Sequence, residues 1–170
     1  MLNRSFVVEG RPIAPRRFVE FRLLPGARES VRLLKQHGFK VIVVTNQPDI
    51  GRGTTEPAEV ERMNRRLVDE LAVDAVKVCP HAQDGDCGCR KPAPGMLREA
   101  AAEFGLSLGA SYMVGDRWSD VVAGAAAGCY TIKIERGYSN EKPSQPDAVV
   151  GSLAAAVRHI ISMENANGRP

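Results

Sequence analysis

Three of the chain's four cysteines stand within eleven residues, in the stretch CPHAQDGDCGC (79–89), and His81 lies among them. Three thiolates and one imidazole complete the tetrahedral shell of Zn²⁺. Cys79, His81, Cys87 and Cys89 would leave no position open for substrate, so a zinc bound there is structural. Two other readings compete. A dithiol redox pair usually has two residues between its cysteines, whereas Cys87 and Cys89 are separated by one. The plainer alternative is a reduced, metal-free loop. The ligand types and their crowding favour zinc, and the polar, Gly-containing AQDGD between them is expected to fold back and close the site. Cys129 opens an apolar run and reads as a small core residue. His37 and His159 are far from the cluster in sequence and are assigned no ligand role.

Three further stretches carry groups suited to an anion. VVTNQ ends an apolar run with Thr45, whose hydroxyl and following amides can donate hydrogen bonds, although Thr-Asn is also common in ordinary turns. RKPAPGM sets Arg90 and Lys91 directly after the cysteine cluster, and Pro92 and Pro94 stiffen the segment. A cation fixed in this way suits phosphate binding; elsewhere the same pair would be a solvated surface feature. MVGDRWSD places Asp116 after Gly115, which would permit a tight turn, and Asp120 one helical turn later. Hard carboxylate oxygens there suit Mg²⁺. The alternative is helix capping by Asp120 or Ser119, and Ser119 is expected to cap. Trp118 either flanks the site or covers a surface patch.

The elements that must position these groups alternate. PGARESVRLLKQHG reads as a helix with Ala27, Val31 and Leu34 on one face and Gly38 closing it. FKVIVVTN reads as a strand buried on both faces, and IGRG as a loop. TTEPAEVERMNRRLVDEL opens with capping threonines and presents Val60, Met63, Leu67 and Leu71 as one apolar stripe. AVKVC is a strand and PGMLREAAAEFG a helix with Met96, Leu97, Ala100 and Phe104 inward. SYMVG, SDVVAGAAAG and CYTIKI continue as strand, helix and strand. DAVV and SLAAAVRHII repeat the pair, and MENANGRP is expected to fray. The pattern predicts an α/β fold with a mostly parallel sheet, as a single domain over residues 1–170 with a small zinc-binding loop at 79–89. In such sheets ligands bind beyond the carboxyl ends of the strands, where Thr45, the cluster and Asp116 all fall.

Composition excludes several classes. Apolar residues at 44% and charged residues at 25% are ordinary globular usage. A net charge of +3, with basic residues scattered among acids, disfavours a nucleic-acid partner. No run approaches a membrane span, and MLNRSFVVEG lacks the features of a signal peptide. A cytoplasmic monomer with reduced thiols and no membrane partner is expected.

In this order, VVTNQ, CPHAQDGDCGCRKPAPGM and YMVGDRWSD resemble the haloacid-dehalogenase-type (HAD) phosphatases. More narrowly they resemble the D-glycero-D-manno-heptose 1,7-bisphosphate phosphatases and their histidinol-phosphatase relatives, over nearly the whole chain. The resemblance implies a three-layer Rossmann-like fold. It implies hydrolysis of a phosphomonoester on a small phosphorylated substrate, a sugar bisphosphate, through an aspartyl-phosphate. Alternatives are a histidinol-phosphate phosphatase and, in another class, a non-catalytic zinc- and phosphate-binding protein. Thr45 and Lys91 would match the catalytic Thr/Ser and Lys that hold the phosphoryl group. Asn46, Gln47, Arg90 and Arg117 would bind substrate, and Arg117 stands where the family commonly has Lys. Asp116 would match the ligand of a catalytic Mg²⁺, and Cys79, His81, Cys87 and Cys89 the ligands of a structural Zn²⁺.

One departure stands out. The family's nucleophile and acid/base lie in Asp-x-Asp-Gly-x-Leu-Asn at the end of the first, central strand. Leu2 and Asn3 match the end of that pattern, and no Asp precedes Asp49; Glu9 and Glu20 have no comparable context. Both carboxylates and their strand are therefore expected upstream of Met1, and the chain as written is expected to be inactive by the family mechanism without them.

Overall fold

The computed structural model describes residues 1–8, 11–82, 87–138, 141–166 and 168. An antiparallel hairpin comes first, β1 (Phe6–Val8) with β2 (Arg11–Ile13). Three-residue strands are too short to show a period, so the sequence carried no signal for them. After a 3-10 turn at Phe18–Glu20 the elements alternate as expected. They are α1 (Ala27–Gln36), β3 (Ile42–Asn46), α2 (Pro48–Gly51), α3 (Pro57–Leu71) and β4 (Ala75–Cys79). Next come α4 (Gly95–Phe104), β5 (Tyr112–Gly115), α5 (Trp118–Ala127), β6 (Tyr130–Ile134), β7 (Ala148–Val150) and α6 (Leu153–Ala166).

Strands β3 and β4 pair in parallel, with Asn46 opposite Cys79. Strands β5, β6 and β7 form a second parallel set. Among the described residues no strand lies between β3 and β5, and no ladder joins them. Packing closes the molecule across this line. Helix α1 puts Ala27 and Val31 against Val60, Met63 and Leu67 of α3, and Leu34 against Ile132, Ala156 and Ile160. On the α4–α5 side, Val44 of β3 packs on Leu97, Met113 and Ala123. The result is the α/β, Rossmann-like arrangement of mostly parallel strands between helical layers. The apolar stripe read from α3 is buried at all four positions, and Cys129 is a core residue.

Several local expectations are revised. Strand β3 is half-buried throughout rather than covered on both faces, since no described strand pairs with its β5-facing edge. The IGRG segment is partly helical, in α2. Helix α3 starts at Pro57, whose missing N–H and fixed φ suit the first turn, and no side chain caps it. The Thr54 hydroxyl instead donates to the Asp49 carbonyl, and the Thr55 hydroxyl is buried without a partner. Helix α6 continues to Ala166, through part of the expected frayed tail. Residues 83–86, expected to fold back over the zinc site, lie outside the described residues, as do Glu9 and positions 167, 169 and 170 of the tail. Among the described residues no helix is long and apolar enough to cross a membrane.

Asp74 pins the start of the β3–β4 pair. Its carboxylate accepts the Val41 N–H at 2.7 Å and the Lys35 ammonium at 2.8 Å, and its own N–H donates to the Val41 carbonyl. Partial burial raises its pKa, but the Lys35 and Val41 bonds outweigh it, and the net shift is downward. A depressed carboxyl stabilises the fold above its unfolded pKa and loses that contribution as pH falls through its folded pKa. Asp74→Ala is expected to cost about 1–3 kcal/mol in urea unfolding at neutral pH. The difference from wild type should shrink below pH of about 4; a gap unchanged down to pH 2 would contradict this account.

Candidate functional site

The four predicted zinc ligands meet at the end of β4. Cys79 Sγ lies 3.7 Å from Cys87 Sγ, which lies 3.6 Å from Cys89 Sγ. His81 Nδ1 stands 3.6 Å from Cys79 Sγ and 3.3 Å from Cys89 Sγ. Four sulfurs at about 2.3 Å from a tetrahedral zinc would be about 3.8 Å apart, so the donors already stand near the corners of such a shell. All the cysteines are free thiols. Burial, then the neighbouring thiols of Cys79 and Cys87, pushes Cys89 up to about 12. Burial also opposes ionisation of Cys87, but hydrogen bonding from the Arg90 backbone and the adjacent thiols lowers it. Crowded thiols of this kind ionise together only around a cation. The donor set fits zinc.

The cluster is tied to the strand ends on both sides. Gly51 lets α2 dock on it: a Cβ there would stand 2.5 Å from the Ala82 nitrogen and 2.8 Å from the Pro80 carbonyl oxygen. The Gly51 N–H donates to that carbonyl, the Gln47 N–H donates to the Cys79 carbonyl, and the Gly95 N–H at the start of α4 donates to the Gly88 carbonyl. The Arg90 guanidinium donates to the His81 carbonyl at 3.0 Å.

Lys91 is the centre of the second group. Its ammonium donates to the Val44 carbonyl at 2.7 Å and pairs with Asp120 at 2.7 Å. Both side chains are largely buried, 11% and 9% exposed. Asn46 holds the Lys91 backbone with both ends of its amide, donating to the carbonyl at 2.9 Å and accepting the N–H at 3.0 Å. Asn46 therefore acts here as a strut for Lys91 rather than as an open amide. Gln47 donates to the Thr45 hydroxyl at 3.2 Å, which leaves that hydroxyl's own proton to donate elsewhere.

Asp116 and Arg117 form the third group. Gly115 serves close approach rather than a tight turn: a Cβ there would stand 2.1 Å from the Asp120 Cβ. Asp120 folds back over it and accepts the Arg117 N–H at 3.1 Å, capping α5 in place of Ser119, which sits inside the helix. Asp116 accepts the Tyr138 hydroxyl at 3.4 Å and lies 3.4 Å from the amino-terminal ammonium, both contacts falling on one carboxylate oxygen, Oδ2. It is not part of a three-residue acidic group among the described residues, so it offers one ligand to a cation rather than a complete site.

The HAD-hydrolase-like family matches residues 88–156. A D-glycero-beta-D-manno-heptose-1,7-bisphosphate 7-phosphatase from Yersinia pestis is 36% identical over 149 residues, covering 79% of each chain. The chain belongs to the HAD-type phosphatases. A Pseudomonas aeruginosa protein of the same name is 37% identical over 67% of each chain. The crystal structure of the D,D-heptose 1,7-bisphosphate phosphatase from B. bronchiseptica, complexed with magnesium and phosphate, superposes with a TM-score of 0.74. It is 30% identical and covers 87% of this chain and 88% of its own. A putative HAD-like phosphatase from Mesorhizobium loti gives 0.73 at 26% identity, over 94% and 82%. This chain thus belongs to a family of enzymes that hydrolyse phosphate esters.

Three contributors to this HAD-type site are not evident in the sequence. Asp120 reads there as a ligand or cap, whereas its pairing with Lys91 joins segments 29 positions apart. The Asp-x-x-x-Asp spacing is its only signal. Tyr138 and Glu141 reach the Asp116–Trp118 turn from the loop after β6, which has no motif that marks them.

Proposed function

We propose that the chain supplies the phosphate- and sugar-binding part of a site that removes one phosphate from a sugar bisphosphate of the D-glycero-D-manno-heptose 1,7-bisphosphate type, with none of the described carboxylates assigned as the nucleophile. The observation that carries this reading is the placement of Lys91. It is a nearly buried cation that donates to the Val44 carbonyl, one residue before Thr45, and is linked through Asp120 to the Asp116 turn. The names of the relatives support the substrate class.

In this reading the Lys91 ammonium offsets charge on the phosphoryl oxygens, and the Thr45 hydroxyl donates to one of them. Gln47 orients that hydroxyl, and Asn46 orients Lys91. Arg90 and Arg117 recognise the rest of the substrate. Mg²⁺, when held by Asp116, supplies charge neutralisation at the phosphoryl group. Cys79, His81, Cys87 and Cys89 hold a structural zinc that stiffens the Arg90–Lys91 segment. The steps assigned to these residues are binding, orientation and charge neutralisation. Asp49 takes no part, because its carboxylate is engaged by Arg16 at 3.1 Å and Arg52 at 3.4 Å.

The test is phosphate release by the full-length gene product with Mg²⁺, comparing D-glycero-β-D-manno-heptose 1,7-bisphosphate with histidinol phosphate. A kcat/KM at least about tenfold higher for the bisphosphate is expected, a difference of about 1.4 kcal/mol in transition-state binding. Preference for histidinol phosphate would replace the substrate assignment. Failure to bind either compound in calorimetric titration would overturn the reading.

A further inference from the structure

Tyr138 and Glu141, which follow β6 in sequence, both meet the Asp116–Trp118 turn, and the Glu141 carboxylate makes the closer contacts. Glu141 accepts the Arg117 Nε–H at 2.7 Å and the Trp118 N–H at 2.6 Å. It also lies 3.6 Å from the Lys133 ammonium on β6. The Glu141 and Lys133 side chains are each 14% exposed, while Arg117 is 29% exposed. Nearby, the Arg117 guanidinium lies 5.6 Å from the centre of the Tyr138 ring, and the Lys142 ammonium lies 4.7 Å over Trp118.

We infer that Glu141 is a positioning residue that aims the Arg117 guanidinium at the second charged group of a bisphosphate, an inference that rests on the function proposed above. Bonding through Nε fixes the plane and direction of the guanidinium. The Trp118 N–H is one of the helix-start amides that no carbonyl of α5 can satisfy, and a carboxylate at a helix N-terminus is favourable. Glu141 thereby ties the guanidinium to the rigid start of α5, next to Asp116. Glu141 lies against two cations, Arg117 and Lys133, and Lys133 also lies 3.8 Å from Glu135, so charge at this corner is near balance and Glu141 acts on Arg117 through direction rather than through net charge. Lys91 reaches the transferred phosphoryl group from the end of β3, whereas Arg117 stands on the other side of the Asp120 carboxylate, at the start of α5. Glu141 should therefore affect a bisphosphate and leave a single phosphate little changed.

The experiment uses the full chain with Glu141→Ala, Glu141→Gln, Arg117→Ala and the Glu141→Ala/Arg117→Ala double variant. Binding is measured by calorimetry in magnesium-free buffer, for the heptose 1,7-bisphosphate and for inorganic phosphate. Glu141→Ala should weaken bisphosphate binding about tenfold and inorganic phosphate by less than about twofold. Glu141→Gln, which keeps an acceptor, should recover part of the loss. The double variant should be no weaker than Arg117→Ala alone, because Glu141 acts through Arg117. Equal weakening of both ligands, or additive losses in the double variant, would overturn the inference. A ligand-independent reading comes from the ¹⁵N-labelled Arg117 Nε–H signal. It should be protected from solvent exchange in the wild type, lost in Glu141→Ala and largely kept in Glu141→Gln. Protection that survives Glu141→Ala also overturns the inference. Should the wild type show no preference for the bisphosphate over phosphate, the proposed substrate class fails, and the Nε–H signal still decides whether Glu141 positions Arg117.

Discussion

Lys91→Ala is expected to lower the unfolding free energy by about 3–5 kcal/mol, because it leaves the buried Asp120 carboxylate without its cation. The pair is 2.7 Å apart and Asp120 is 6% exposed, so water cannot take over the role of Lys91. The same change should weaken inorganic phosphate binding by at least about tenfold, the loss of one charge-assisted contact. Lys40, which is exposed and lies against Phe104, is the control, and Lys40→Ala should leave phosphate binding unchanged. The two effects can be separated. Lys91→Met combined with Asp120→Asn removes both charges together and should recover most of the stability without recovering the anion. Urea unfolding and phosphate titration of these variants check the expectation. Stability within about 1 kcal/mol of wild type for Lys91→Ala alone would show that the pair is not the buried contact described here.

Cys87→Ser, or removal of metal by a strong chelator, is expected to lower the melting temperature by about 10 °C or more. That shift corresponds to a loss of about 4 kcal/mol at roughly 2–4 °C per kcal/mol for a domain of this size. The wild type purified without chelator should carry about one zinc per chain, and Cys87→Ser should carry little. The loss should extend beyond the metal. Arg90 donates to the His81 carbonyl, and Lys91 is held by Asn46 on β3, so releasing the knot frees one end of the segment that presents both cations. Hydrogen exchange across 87–91 should rise, and phosphate binding should fall along with it. Zinc content unchanged by Cys87→Ser, or an unchanged exchange pattern after metal removal, would contradict this.

The amino-acid sequence by itself determined most of the elements and the chemistry of the donor cluster. Helix α3 was legible because Val60, Met63, Leu67 and Leu71 repeat at the helical period and are all buried. The Cys79, His81, Cys87 and Cys89 cluster was legible because the four donors are close in sequence and their chemistry is specific. The placement of Thr45 and Asp116 at the carboxyl ends of β3 and β5 was legible from the apolar runs that precede them. Sequence periodicity could not reveal what depends on contacts between distant segments. Asn46 was read as a substrate-binding residue; that its amide also holds the Lys91 backbone shows only once β3 and the post-cluster turn meet side by side. Ser119 has the chemistry of a cap, yet Asp120 caps α5 because Gly115 leaves room for it to fold back. The hairpin β1–β2 and the Glu141 fastening were not visible at all: one is too short for a period, and the other joins a motif-free loop to a turn 23 residues earlier. Local propensity and donor chemistry are written in neighbouring residues. Which buried charge meets which counter-charge is settled only when packing brings separate strand ends into one low-dielectric place, where an unpaired partner is too costly to leave.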